Sequence, residues 1–115
     1  MRLAILEIGR VAVAAVEPGA AVRSVVGMTD DGVRLGDQHI GDGDFDKAVI
    51  LGAGKASPKM AAELESILGD RVRGGLVVTK DGYSTETRCV EVVQAGHPVP
   101  DSRGEKAARR LLAVA

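Results

Sequence analysis

A short run, Lys47-Ala48-Val49-Ile50-Leu51, continuously apolar after its first residue, passes directly into the glycine turn Gly52-Ala53-Gly54. A run this short, without polar alternation, predicts a strand buried on both faces of a sheet. Downstream, Met60, Leu64, Ile67 and Leu68 recur at i, i+4, i+7 and i+8, with Lys59, Glu63 and Ser66 turned outward and Gly69 where a C-terminal cap belongs. Gly74-Gly75 then introduce a second apolar run, Leu76-Val77-Val78-Thr79, and a third follows from Val90 to Gln94. Strand, helix and strand in this order form a βαβ unit, whose two strands lie parallel. The expected fold class is therefore α/β, a Rossmann-like partial parallel sheet.

The flanks carry different patterns. In residues 3–16, Glu7, Arg10 and the following Glu17 share one narrow stripe while Ile5, Ile8, Ala12 and Ala15 occupy the other side, which predicts an amphipathic helix ended by Pro18-Gly19. In residues 20–45 the apolar runs shorten to Val22–Val26 and Val33–Ile40, separated by Asp30-Asp31-Gly32, and a small β excursion is expected there. Pro98 and Pro100 exclude helix or central strand after the third run. Ser102 and Glu105 have the spacing of a capping box, so a last helix should start at about Arg103 with Ser102 as N-cap. Three parallel strands are few for a doubly wound sheet, so residues 1–115 are expected to form one partial domain of a longer protein.

Composition narrows the functions available. With 45% hydrophobic residues but no Trp, one Tyr and one Phe, the core must be mainly Val, Leu, Ile and Ala, and no aromatic platforms exist for stacking bases. Fifteen Lys and Arg against sixteen Asp and Glu leave no surplus positive charge for nucleic acid or anionic lipid. Glu7 and Arg10 interrupt the leading apolar run, and no targeting or membrane-spanning segment is visible. Cys89, the single cysteine, excludes an intrachain disulfide and a cysteine-cluster metal site, fits a cytoplasmic protein, and is expected to pack as a small hydrophobe beside Val90.

The chemistry concentrates at residues 52–57. A glycine turn between a strand and a helix aims backbone N–H groups and the positive end of the helix dipole at an anion, and Lys55 adds a mobile cation. Packing alone also produces such turns. The turn is not a Walker A loop, because Val49 stands where the first glycine is required, and Ser57 stands where a dinucleotide fingerprint wants Gly or Ala. An NAD(P)-binding module remains an alternative, with Asp81 or Lys80 at the ribose. Ser57-Pro58 suit N-cap and N1 positions. Lys80-Asp81-Gly82-Tyr83 follows the second strand, where open α/β sheets place ligands, and is either substrate-facing or a polar loop. His97 is suited to acid–base work or to a structural hydrogen bond, and His39 reads as surface. Asp42, Asp44 and Asp46 alternate like the start of a calcium loop, but Lys47 and Ala53 occupy the positions that need Gly and Glu, which leaves a solvated turn.

Three ordered motifs, Leu51-Gly52-Ala53-Gly54-Lys55-Ala56, Gly74-Gly75-Leu76-Val77-Val78-Thr79-Lys80-Asp81-Gly82-Tyr83 and Ala95-Gly96-His97-Pro98-Val99-Pro100-Asp101, resemble successive segments near the start of the glycerate 2-kinases whose C-terminal part is the MOFRL domain. Some members of that family are labelled hydroxypyruvate reductases. The resemblance implies phosphoryl transfer from ATP, with a divalent cation such as Mg²⁺, to the 2-hydroxyl of D-glycerate. It implies Lys55 as the functional lysine over Gly52, Ala53 and Gly54, with Lys80 and His97 lining the same cleft. No metal ligand is assigned in this segment. Because family members continue through a second domain that completes the active site, the isolated chain is expected to be inactive, or to be a non-catalytic fragment that forms homo-oligomers through the surface left bare.

Overall fold

The computed structural model describes residues 1–115, apart from the Arg2 side chain. The chain runs α1 (Arg2–Ala14), α2 (Pro18–Val25), β1 (Val26–Thr29), β2 (Gly32–Leu35), β3 (Gln38–Gly41), β4 (Ala48–Ala53), α3 (Ser57–Leu68), a 3₁₀ turn (Gly69–Arg71), β5 (Val72–Lys80), β6 (Val90–Ala95) and α4 (Ser102–Val114). Strands β1, β2 and β3 form an antiparallel meander, and β4, β5 and β6 form a parallel sheet in that order.

The βαβ reading holds, with β5 central and α3 laid against one face. There Ile50, Val72, Val77 and Val90 pack on Ala61 of α3, joined at the margin by Leu64, Leu68 and Val92. Helix α4 covers the opposite face over β5 and β6, burying Ala107. Gly75 is required by close approach: a Cβ there would lie 1.9 Å from the Ile50 carbonyl oxygen, on a backbone with φ of +155°.

Four expectations are corrected. First, β4 is not buried on both faces: it is an edge strand, α4 packs mainly over β5 and β6, and Val49 and Leu51 remain exposed. Second, Val22 to Val25 belong to α2 and not to a strand. Pro18 begins this helix instead of only ending the previous one, because its fixed φ suits the first turn and the Glu17 carboxylate accepts the Ala20 amide at 2.7 Å. Third, residues 33–40 form two strands, β2 and β3, joined by Gly36-Asp37, with Gly36 at φ +60°. Fourth, Cys89 is exposed rather than packed, since it precedes β6 and its backbone amide is drawn to Glu65.

Helix α1 is exposed along its length, including Leu3, Ile5, Ile8 and Val11, so its apolar side has no cover among the described residues. Helix α2 is tied to α3 by the Arg23–Glu63 ion pair. Asp42 pairs with Arg71 at 2.6 Å and Asp44 accepts the Gly41 amide at 2.9 Å, which gives these carboxylates structural employment. His39 lies on the surface, 3.0 Å from Asp31. Among the described residues, no helix is long and apolar enough to cross a membrane.

Candidate functional site

The C-terminal ends of β4, β5 and β6 converge with the start of α4 on a cavity of about 580 Å³. Ala53, Gly54, Lys55 and Ala56 line it from the first loop, Val78, Thr79 and Lys80 from β5, and Ala95, Gly96, His97 and Pro100 from the third loop. Five of the six residues expected at the site, Ala53, Gly54, Lys55, Lys80 and His97, are therefore brought together. Gly52 stands one step below. A Cβ on it would lie 3.2 Å from Ser57 Cβ and 3.3 Å from Val77, so its small size lets the start of α3 sit close on the sheet.

The turn owes its shape to Gly54, at φ +112°. The Gly54 amide donates to the Val78 carbonyl at 2.8 Å and the Ser57 amide donates to the Gly54 carbonyl at 3.2 Å. Between them, the amides of Lys55 and Ala56 have no protein acceptor among the described residues. Ser57 does not act as the N-cap. It is the first helical residue, after Ala56, and its hydroxyl instead donates to the Gly54 carbonyl at 2.7 Å. Helix α3 thus begins two residues after Lys55, and its positive end lies beside the free amides.

Two cations stand at this turn. Lys55 is exposed and Lys80 half-buried, and neither has a carboxylate partner among the described residues. Their ammonium groups lie 5.7 and 5.4 Å from the centre of the Tyr83 ring. The ring's negative face draws both charges to one rim of the cavity. His97 is exposed, with a cis bond to Pro98, and makes no side-chain hydrogen bond among the described residues.

A clasp holds the rim. The Arg103 guanidinium donates to both Asp81 oxygens, at 2.8 and 2.7 Å, and its Nε donates to Asp101 at 2.9 Å. Asp101, not Ser102, is the N-cap of α4: it accepts the amides of Arg103 and Gly104, and reaches back to the Gly96 amide at 3.0 Å. Glu105 pairs with Arg109 instead of completing a capping box. The Arg103 guanidinium holds the Asp81 carboxyl below its ordinary range, and the Gly104 amide with Arg103 does the same for Asp101. Lowered carboxylate pKa values keep the clasp intact at neutral pH, with its contribution lost only as pH falls through them. Asp81 is thereby engaged by Arg103, which disfavours it as the acid that a dinucleotide ribose would need. Arg103→Ala should raise hydrogen exchange at Gly96 roughly tenfold while exchange at Val77 stays unchanged, since only the rim opens.

The sequence reading missed the roles of Tyr83 and Arg103. Tyr83 carries a visible signal, being the only tyrosine and lying three residues after Lys80. Arg103 and Asp81 are 22 positions apart and meet only in the folded chain.

The family described as "Domain of unknown function (DUF4147)" matches residues 4–115. Glycerate 2-kinase of Pyrococcus horikoshii is 35% identical over 106 residues, 90% of this chain and 22% of that protein. A protein of Agrobacterium vitis that carries a hydroxypyruvate reductase name is 39% identical over 66 residues, 57% of this chain and 17% of its own length. The crystal structure of a glycerate kinase from Thermotoga maritima superposes with a TM-score of 0.69 at 34% identity, covering 96% of this chain and 23% of that one. This chain spans about a fifth of the length of these curated relatives, and its mixed α/β architecture matches that of the Thermotoga maritima structure. With the family match running through nearly every residue described above, the chain belongs to the DUF4147 family.

Proposed function

We propose that this segment supplies part of the active site of a glycerate 2-kinase, which transfers the γ-phosphoryl group of ATP to the 2-hydroxyl of D-glycerate. The observation that carries the reading is the meeting of Lys55, Lys80 and two unpaired turn amides at one cavity, in a chain related to glycerate 2-kinases. In the reaction the bond from the γ-phosphorus to the bridging oxygen of ADP breaks, a bond to the 2-hydroxyl oxygen forms, and the hydroxyl proton is released. Charge on the transferred group is spread over its peripheral oxygens, so preorganised cations and N–H donors are the catalytic parts required. Lys55 and the amides of Lys55 and Ala56 would hold either that group or the glycerate carboxylate, with Lys80 and His97 along the same wall.

Mg²⁺ does not fit this cavity on the described residues. They contain no cluster of three or more His, Cys, Asp or Glu side chains able to hold a metal, and the carboxylates at the rim are engaged by Arg103. No step is therefore assigned to a metal in this segment. In this reading residues 1–115 are part of a larger domain and act with the remainder of a cytoplasmic enzyme. The relatives' much greater length and the uncovered apolar side chains of α1 and β4 support it. The test is a coupled assay of ATP-dependent D-glycerate phosphorylation on the longest natural chain carrying this segment and on residues 1–115 alone. The long chain should be active and the short one silent. A long chain inert toward glycerate would overturn the assignment.

A further inference from the structure

Thr79 is 3% exposed, and its Oγ1 is the one buried side-chain polar atom among the described residues without a hydrogen-bond partner. The other buried polar side chains are employed: the Ser57 hydroxyl holds the Gly54 carbonyl, and the Glu65 carboxylate takes the amides before and into β6. A buried hydroxyl with no partner is destabilising, and one in a well-packed sheet calls for an explanation. Position supplies it. Thr79 lines the cavity, and strand alternation puts it with Val77 on the α3 side of the sheet. Its neighbour Val78 receives the Gly54 amide, so Thr79 lies at the level of the turn whose Lys55 and Ala56 amides are unpaired.

We propose that Thr79 is a ligand-binding residue: its hydroxyl donates to an oxyanion oxygen, of phosphate or carboxylate, held over the turn 54–56. The inference deepens the kinase reading and rests on it for the identity of the ligand. A hydroxyl and two neighbouring N–H groups would grip two oxygens of one anion, while Lys55 balances its charge. Valine is nearly isosteric with threonine and lacks only the hydrogen-bonding group, whereas serine keeps it.

The experiment compares Thr79→Val and Thr79→Ser in the longest natural chain, reading KM for ATP and for D-glycerate together with kcat and the thermal midpoint. Thr79→Val should raise one KM about tenfold, the loss expected when one buried hydrogen bond to a charged group disappears. The affected substrate identifies the anion, ATP phosphate or glycerate carboxylate. Thr79→Ser should stay within about threefold of wild type, and the midpoint of Thr79→Val should equal or exceed that of wild type. Unchanged KM values in Thr79→Val, equal impairment in Thr79→Ser, or a lowered midpoint in Thr79→Val would each overturn the proposal. If the wild-type chain does not phosphorylate glycerate, the kinase reading fails by itself. The role of Thr79 is then decided by inorganic phosphate titrated into residues 1–115. Saturating amide shifts at Lys55 and Ala56 that weaken about tenfold in Thr79→Val uphold it, and identical titrations or no shift at all overturn it.

Discussion

Glu65→Ala is expected to cost the chain about 3 kcal/mol or more of stability, read as the urea midpoint followed by circular dichroism. Glu65 is buried, and its carboxylate accepts three consecutive amides: Arg88 at 2.5 Å, and Cys89 and Val90 at 2.7 Å each. It thereby pins the start of β6 to α3, two elements 23 or more positions apart. Alanine leaves the Val90 amide buried without an acceptor and those of Arg88 and Cys89 partly so, at about 1–3 kcal/mol for a fully buried group. Set against the roughly 5–15 kcal/mol of a whole domain, that is a large fraction. Burial acts to raise the Glu65 pKa, but the three amides outweigh it and the folded-state value is lowered. A lowered carboxylate pKa contributes stability that is complete above the ordinary glutamate value of about 4.3 and is lost as pH falls through the folded value. Glu65→Gln should therefore lose less than Glu65→Ala near neutrality, because a carbonyl oxygen can still take the Cys89 and Val90 amides, and should flatten the acid limb below about pH 4. A loss under about 1 kcal/mol in Glu65→Ala would show that solvent satisfies these amides.

The parallel sheet was legible because its information is local. Ile50, Leu76 and Val77 sit in contiguous apolar runs, glycines separate them from a helix of clear period, and few alternatives satisfy that order. Helix α2 was not legible in the same way. Eight residues give barely two turns, and Val22, Val25 and Val26 carry β propensity that outweighs the local pattern. The overriding signals lie in Glu17-Pro18, an N-cap followed by N1, but Pro18 in the sequence reads equally as the end of α1. The exposure of Val49 and Leu51 is beyond the reach of local pattern, because it depends on α4 packing mainly over β5 and β6. A buried strand and a half-covered edge strand have the same apolar composition.

The candidate site divides along the same line. Gly54 and Lys55 were legible because a turn with positive φ leaves a glycine in the sequence, and a cation beside it suggests an anion. Lys80 and His97 followed from the rule that ligands gather at the C-terminal ends of parallel strands. What the sequence concealed was employment. Asp81 reads from the sequence as a loop acid and only the fold pairs it with Arg103, and Thr79 reads as one more β-branched strand residue and only the fold leaves its hydroxyl without a partner. Satisfaction of a polar group is a property of the folded neighbourhood and has no one-dimensional trace.

Lys55→Ala in the longest natural chain is expected to lower kcat for glycerate phosphorylation about 100- to 1,000-fold, the range seen when one donor to a developing oxyanion is removed. The thermal midpoint should hardly move, because Lys55 is exposed and its ammonium group leans on the Tyr83 ring, a weak cation–π interaction at such exposure. The two readouts together separate catalysis from folding, which Glu65→Ala would disturb jointly. Lys55→Arg should recover only part of the rate, since a planar fork replaces a compact, mobile ammonium above a turn shaped around small residues. Lys80→Ala provides the internal comparison. Lys80 shares the Tyr83 ring with Lys55 but stands at the end of β5 and not on the turn that carries the unpaired amides, so its loss should fall mainly on KM. A Lys55→Ala rate within about threefold of wild type would remove Lys55 from the chemistry. The two lysines would then be left as a substrate-gathering pair, and the catalytic cation would have to come from outside residues 1–115.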